Sequence, residues 1–231
     1  MDIYPAMNPL GVDSIMRGIP MFDLDMNRIF PGNKEGSMAE YVAAKAVEDI
    51  KGSDVCIDIH ASNIYLSEIP QIRISEMTAK ELVPLARLLN IDFIWVHQAA
   101  TVLESTLAHS LNSIGTKTLV VEMGVSMRVT KTLGTQLVDG IFNLMRELGM
   151  WKGETIIPKK PIESKDGNVH FLNAAASGIF LQNAYHGKEV RSGELIGEIV
   201  DPLAGKVLQK VFSPCNGLFY AVCCSEKSKT I

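Results

Sequence analysis

From residue 37 onward the apolar positions of the chain switch between two periods. After Ser37, the residues Met38, Tyr41, Val42, Ala46, Val47 and Ile50 recur at helical spacing, so a helix capped by Ser37 and running to about Lys51 is predicted, with those residues as its buried stripe. "DVCIDI" (54–59) is short, apolar and rich in β-branched side chains, which predicts a buried strand. Thr78 to Leu89 has helical spacing despite Pro84, a residue that should start or kink a turn. "IDFIWV" (91–96) reads as a second strand, Val102 to Ser113 as a helix and "TKTLVVEMG" (116–124) as a third strand. Thr130 to Leu148 reads as a long amphipathic helix closed by Gly149. Strands separated by helices of this length imply parallel neighbours in a covered sheet, an α/β architecture with "VCIDI", "IDFIWV" and "TLVVE" side by side.

The pattern changes after Trp151. "KGETIIPKKPIESKDGN" (152–168) is polar and broken by prolines and glycines, as a linker or an edge strand with turns would be. Short β runs follow: "VHFLNA", "GIFLQNA", "ELIGEIVD", "KVLQKVFS" and "GLFYAVCC". No helical period survives there, so the expected organisation is an α/β domain over 1–155 and a small all-β domain over 156–231.

With 231 residues and 47% apolar side chains, one full-sized core and a smaller second one are affordable. The net charge of -4 carries no long run of one sign, so neither nucleic acid nor an anionic membrane surface is an expected partner. Cys56, Cys215, Cys223 and Cys224 have no zinc-ribbon spacing, and adjacent cysteines make poor disulfide partners; they read as reduced thiols of a cytoplasmic protein. The N-terminus lacks the charged and apolar regions of a signal peptide, and no apolar run approaches 18 residues.

Three places carry candidate chemistry. His60 stands where the first strand runs into a loop, at the kind of strand end where α/β sites collect; the alternative is a hydrogen-bonded structural histidine. Glu122 ends "TLVVE", where a carboxylate needs a partner, a task or solvent. Asn27-Arg28, in the Pro/Gly-ended loop "FDLDMNRIFPG" (22–32), offers a planar cationic fork suited to a substrate carboxylate. A structural pairing of the arginine with Asp23 or Asp25 is the alternative. Arg73, in "PQIRI", is either a second anion contact or a surface arginine.

Arg17, "DMNRIFPG", "DIHAS" and "VEMG", in this order and spacing, resemble the succinylglutamate desuccinylase/aspartoacylase family, a branch of the zinc carboxypeptidase-like hydrolases. "NPLG" (8–11) is similar to the segment preceding the family's D-L-N-R-x-F-P-G motif, here with Met26 for the usual leucine. "GKEVRSGELIGEIVD" and "SPCNGLFYAV" resemble the small lipoyl-like sandwich that many members carry. The resemblance implies an α/β fold with a carboxypeptidase-like mixed sheet covered by helices on both faces, followed by that all-β domain. It implies one Zn2+ per subunit, with His60 as a ligand and Glu122 as the general base that serves water and leaving amine. Arg17, Asn27 and Arg28 match the family's substrate-binding positions, and the implied partner is a small N-acyl amino acid, N-succinyl or N-acetyl. A homo-oligomer is among the assemblies it allows.

One motif is missing. The family's other two zinc ligands come from an H-x-x-E motif ahead of "NPLG", and none stands there; His97, His109, His170 and His186 fall elsewhere. The expectation is a chain that starts some tens of residues into the family pattern, with a sheet edge exposed there. Three readings follow: a zinc amide hydrolase completed by a further segment, a non-catalytic binder of small carboxylates, or a carrier module. The carrier reading lacks a hairpin lysine of the kind carriers present.

Overall fold

The structure, a computed structural model, describes residues 1–98 and 104–223. In chain order the elements are α1 (Pro9–Ser14), α2 (Met38–Ile50), β1 (Val55–His60), β2 (Leu66–Ser75), α3 (Ala79–Ala86), β3 (Phe93–His97), α4 (Leu107–Ser113), β4 (Lys117–Gly124) and α5 (Lys131–Glu147). They continue with β5 (Ile162–Lys165), β6 (Ile179–Gln182), β7 (Glu189–Val190), β8 (Leu195–Val200), β9 (Val207–Phe212), β10 (Gly217–Leu218) and β11 (Ala221–Cys223). Two compact units result: Met1–Asp58 with Gln98–Val120, and Ile59–His97 with Val121–Ile231. Residues 102 and 103 of the helix expected over 102–113, Cys224 and the charged tail lie outside the described residues.

In the first unit α2 begins as its sequence demands. Ser37 caps the helix through Glu40 N–H while the Glu40 carboxylate accepts from Ser37 N–H at 2.8 Å, a capping box that satisfies two otherwise orphaned donors. The buried stripe differs from the expected one. Ala39, Ala43 and Ile50 are buried with Ala46 and Val47 against the core, whereas Met38, Tyr41 and Val42 are exposed. Small residues face inward because the helix packs closely on its neighbours, and the larger apolar side chains of the adjacent stripe are left outside. Met26, Phe30, Leu107 and Leu111 complete this core with Ala43 and Ile50.

The main sheet has the strand order β1-β4-β2-β3-β5, with β11 also pairing β2. The ten-residue β2 corrects the expected topology: it lies between β4 and β3, so "IDFIWV" and "TLVVE" are not neighbours. Pro70 argues against a strand, yet it sits at the junction between the stretch paired to β11 (66–68) and the stretch paired to β3 (71–75). Its carbonyl accepts from Asp92 N–H at 2.9 Å. β2 and β3 are parallel, as are β3 and β5, which makes the start of the polar 152–168 stretch's second half an edge strand. β1 is the other edge and is half-buried along most of its length, where a buried strand was expected.

The helix–strand pattern after β3 holds closely. Gly149 closes α5 at φ +73°, and Met150 N–H returns to the Met145 carbonyl at 2.8 Å. Beyond it β6, β8 and β9 form one antiparallel sheet and β7 and β10 another, around Ala184, Val190 and Ile196. Extra β sheets at the C-terminal side of a mixed α/β core are the observed fold class. Among the described residues no helix is long and apolar enough to cross a membrane.

Candidate active site

In the first unit, short-range hydrogen bonds bring together the residues expected to grip a carboxylate. Asn8 caps α1 by accepting from Gly11 N–H (3.0 Å), and its amide donates to the carbonyls of Arg17 (3.4 Å) and Gly18 (3.1 Å). Arg17 donates through Nε (3.0 Å) and Nη2 (2.9 Å) to Asp25 Oδ2, while Asp25 Oδ1 accepts from Asn27 N–H at 3.0 Å. The structural ion pair considered for Arg28 is thus made by Arg17. Asn27 Oδ1 in turn accepts from Leu107 N–H (3.0 Å) at the start of α4. Arg28 bonds the Asn27 carbonyl through Nη1 (2.7 Å) and leaves the rest of its exposed guanidinium toward solvent. Asp25, which sequence reasoning treated only as an alternative partner, organises the group.

In the second unit, His60 and Glu122 share one end of the sheet. The residue preceding β1's turn, Gly52, donates to Thr116 Oγ1 (3.0 Å) just before β4, and after the strands Ser126 N–H donates to the Asn63 carbonyl (3.4 Å). Adjacent strands tied at both their starts and their ends run parallel, so His60, the last residue of β1, and Glu122, near the end of β4, emerge together. Both side chains are half-buried, with His60 Nε2 and Glu122 Oε2 withdrawn from solvent. A cleft of about 650 Å³ opens two residues past Glu122, at Gly124 and Val125, and extends over Ser67, Leu133, Lys160 and His186. Its size is that of a small-molecule site.

Residues 2–148 match the sequence profile of the succinylglutamate desuccinylase/aspartoacylase catalytic domain. The chain belongs to this family. No protein of curated function matches it. Among solved structures it is similar to the product-bound ectoine utilization protein EutE (DoeB) from Ruegeria pomeroyi, with a TM-score of 0.81 at 17% identity over 96% of this chain and 70% of that one. A succinylglutamate desuccinylase from a Silicibacter species gives 0.81 at 18% identity over 95% of this chain and 68% of that one. A succinylglutamate desuccinylase/aspartoacylase from Rhodobacter sphaeroides gives 0.78 at 20% over 95% and 68%. At these identities the structural likeness establishes the fold.

The zinc that membership in this family implies does not fit the described residues by themselves. A catalytic zinc takes three protein ligands and keeps an open position. Among the described residues no group of three or more His, Cys, Asp or Glu is brought together.

Arg73 has other employment. β2 starts at the end where β1 and β4 finish, since Leu66 N–H donates to the same Asn63 carbonyl (3.4 Å). Arg73 is seven residues further along the strand, with its guanidinium reaching back to Glu68, two residues from that start. There it pairs with Glu68, a carboxylate only 2% exposed that also accepts from Gln71 Nε2 at 2.7 Å, and it lies 5.6 Å over the Trp95 ring. A buried carboxylate without this partner would be costly, so the arginine's first role is to neutralise it.

His97, the last residue of β3, is buried beside this group, edge-on to Trp95. Burial lowers its pKa; the Arg73 charge acts in the same direction and Asp166 opposes. An unfolded histidine takes its proton near pH 6.5 and the folded one only below that, so between the two values the unfolded state binds more protons. Stability is therefore expected to fall as pH drops through about 6.5, with His186, also lowered by burial, adding to the trend. Urea unfolding at about pH 7.5 and 5.5 measures it, and His97→Gln should flatten the difference.

Proposed function

We propose that this protein hydrolyses the amide bond of an N-acyl amino acid such as an N-succinyl or N-acetyl amino acid. The observation that carries the reading is the pair His60 and Glu122 at one end of adjacent parallel strands, with a cleft of about 650 Å³ opening two residues past Glu122, in a chain of this deacylase family. Glu122 is the proton acceptor for the attacking water and the donor to the leaving amine. Arg28, with Asn27 and Arg17 holding its turn, takes the substrate's carboxylate. Zinc is the cofactor the family implies, with His60 as its one candidate ligand. The described residues do not assemble a ligand set for it.

That same observation favours a second reading, in which the chain binds the small carboxylate without turning it over. Free-amine release from N-succinyl and N-acetyl amino acids, measured with added Zn2+ and with chelator beside calorimetric binding, separates the two. Hydrolysis requires release under at least one of these conditions; the binding reading requires heat of binding and no release under either. Arg28→Ala is expected to weaken binding in both, by about 1.5–3 kcal/mol, the range for a hydrogen bond to a charged group. Unchanged affinity in that variant would remove the arginine from the site.

A further inference from the structure

We propose that Ser67 and His186 form a second reactive centre of this protein, a nucleophile with its base, which accepts the acyl group of a small ester in the cleft at the end of β4. The proposal uses none of the residues assigned to the amide-hydrolase reading, although its centre opens into the same cleft.

Ser67 lies near the start of β2, and His186 comes from the turn before β7, 119 positions away in sequence. The fold brings Ser67 Oγ and His186 Nε2 to 3.3 Å, both half-buried. That separation is the loose end of the nucleophile–base range, as expected before substrate tightens it. The imidazole is held in place by its neighbour. Gly187 has φ +81°, donates its N–H to the Phe219 carbonyl at 2.6 Å, and leaves so little room that an added Cβ would stand 3.2 Å from Ile69 Cγ2. Burial lowers the His186 pKa, which keeps the ring uncharged at neutral pH and able to take a proton. Both side chains line the cleft of about 650 Å³, where Ile69, Val125 and Leu133 offer an apolar wall for a short acyl chain. A structural tie between the C-terminal β segment and the sheet needs the hydrogen bond alone; it needs neither an uncharged imidazole nor an open cavity beside the hydroxyl.

The step balances within these groups. In the Nδ1–H tautomer, His186 Nε2 removes the Ser67 hydroxyl proton as Oγ bonds to the ester carbonyl carbon. The bond from that carbon to the leaving oxygen breaks, and the proton passes from Nε2 to the leaving oxygen, giving the alcohol and an acyl-Ser67. Water, deprotonated by the same Nε2, hydrolyses the acyl group in the reverse sense and regenerates the hydroxyl.

p-Nitrophenyl acetate is the probe. The wild-type protein should release p-nitrophenol in a burst and carry an acetyl group on Ser67 in peptide mass spectrometry. Ser67→Ala should abolish both, and His186→Gln should slow the burst by about 10²-fold or more. The burst rate should rise with pH around a midpoint below the ordinary histidine value. No acetyl-Ser67 in the wild type, or a burst unchanged in variants that melt like the wild type, would overturn the proposal. A fluorophosphonate on the unsubstituted protein gives an arm that needs no variant: attachment at Ser67 supports the centre, and attachment elsewhere or none contradicts it.

Discussion

Replacing Glu122 by glutamine is expected to lower kcat for N-acyl amino acid hydrolysis by about 10²–10⁴, the range for a positioned acid–base group, or roughly 3–5 kcal/mol of barrier. The substitution keeps the size and planarity of the side chain at its half-buried place on β4, so the strand and the cleft that opens past it at Gly124 should be undisturbed. What it removes is the second acceptor oxygen and the negative charge, and with them the ability to take a proton from water. Substrate affinity is expected to hold, because the carboxylate is assigned to Arg28. A loss of affinity with kcat preserved would turn Glu122 into a binding residue.

The second large effect is structural and reaches the site from the loop that carries Arg28. Gly32 ends "DMNRIFPG" at φ +81°, and an added Cβ would lie 2.3 Å from both Ala44 N and the Glu40 carbonyl oxygen of α2. Gly32→Ala therefore combines left-handed strain, about 1–2 kcal/mol, with backbone overpacking of about 1–3 kcal/mol, for a total near 2–5 kcal/mol. The loop is also anchored by Phe30 N–H to the Ser105 carbonyl (3.1 Å) and by Asn33 N–H to the Glu40 carbonyl (3.1 Å), so relief of the clash must shift the turn that holds Asn27 and Arg28. N-acyl amino acid binding should weaken together with stability. Gly52→Ala is the control: its φ is +84° but nothing lies within 4 Å of the added carbon, so only the strain term of about 1–2 kcal/mol is expected. Equal destabilisation by the two alanines, read by urea unfolding, would show that α2 yields to the added methyl.

The sequence foretold the elements whose signal is local. Ser37 as a cap, the long period of α5 and the glycine that closes it each have a local signal, and each appears where its pattern lies. β2 escaped notice because Pro70 and the polar Ser67, Glu68, Gln71 and Arg73 break its alternation; only Ile72 and Ile74 keep the strand period. Those polar residues are tolerated in a sheet because they satisfy one another, Gln71 and Arg73 on Glu68, which a one-dimensional pattern does not reveal. The placement of "IDFIWV" beside "TLVVE" failed for the same reason, since the missed strand lies between them.

The candidate site was legible to the extent that motif order carries it. "DIH" and "VEMG" mark residues that share a sheet end, and "NPLG" with "DMNR" marks one hydrogen-bonded group around Asp25. Asp25 itself could have been singled out, because an aspartate two residues before a turn is a ready cap for its N–H groups. The Ser67 and His186 contact could not, since no sequence rule links positions 119 apart.

The measurement that bears most directly on the central claim is free-amine release from N-succinyl and N-acetyl amino acids by the wild-type protein and by Glu122→Gln, each with zinc supplied, and with ligand binding measured calorimetrically on the same samples. The account predicts release by the wild type, loss of about 10²–10⁴ in the variant and affinity retained in both. Release that is undiminished in Glu122→Gln, or a wild type that neither binds nor cleaves either class of compound, would contradict it.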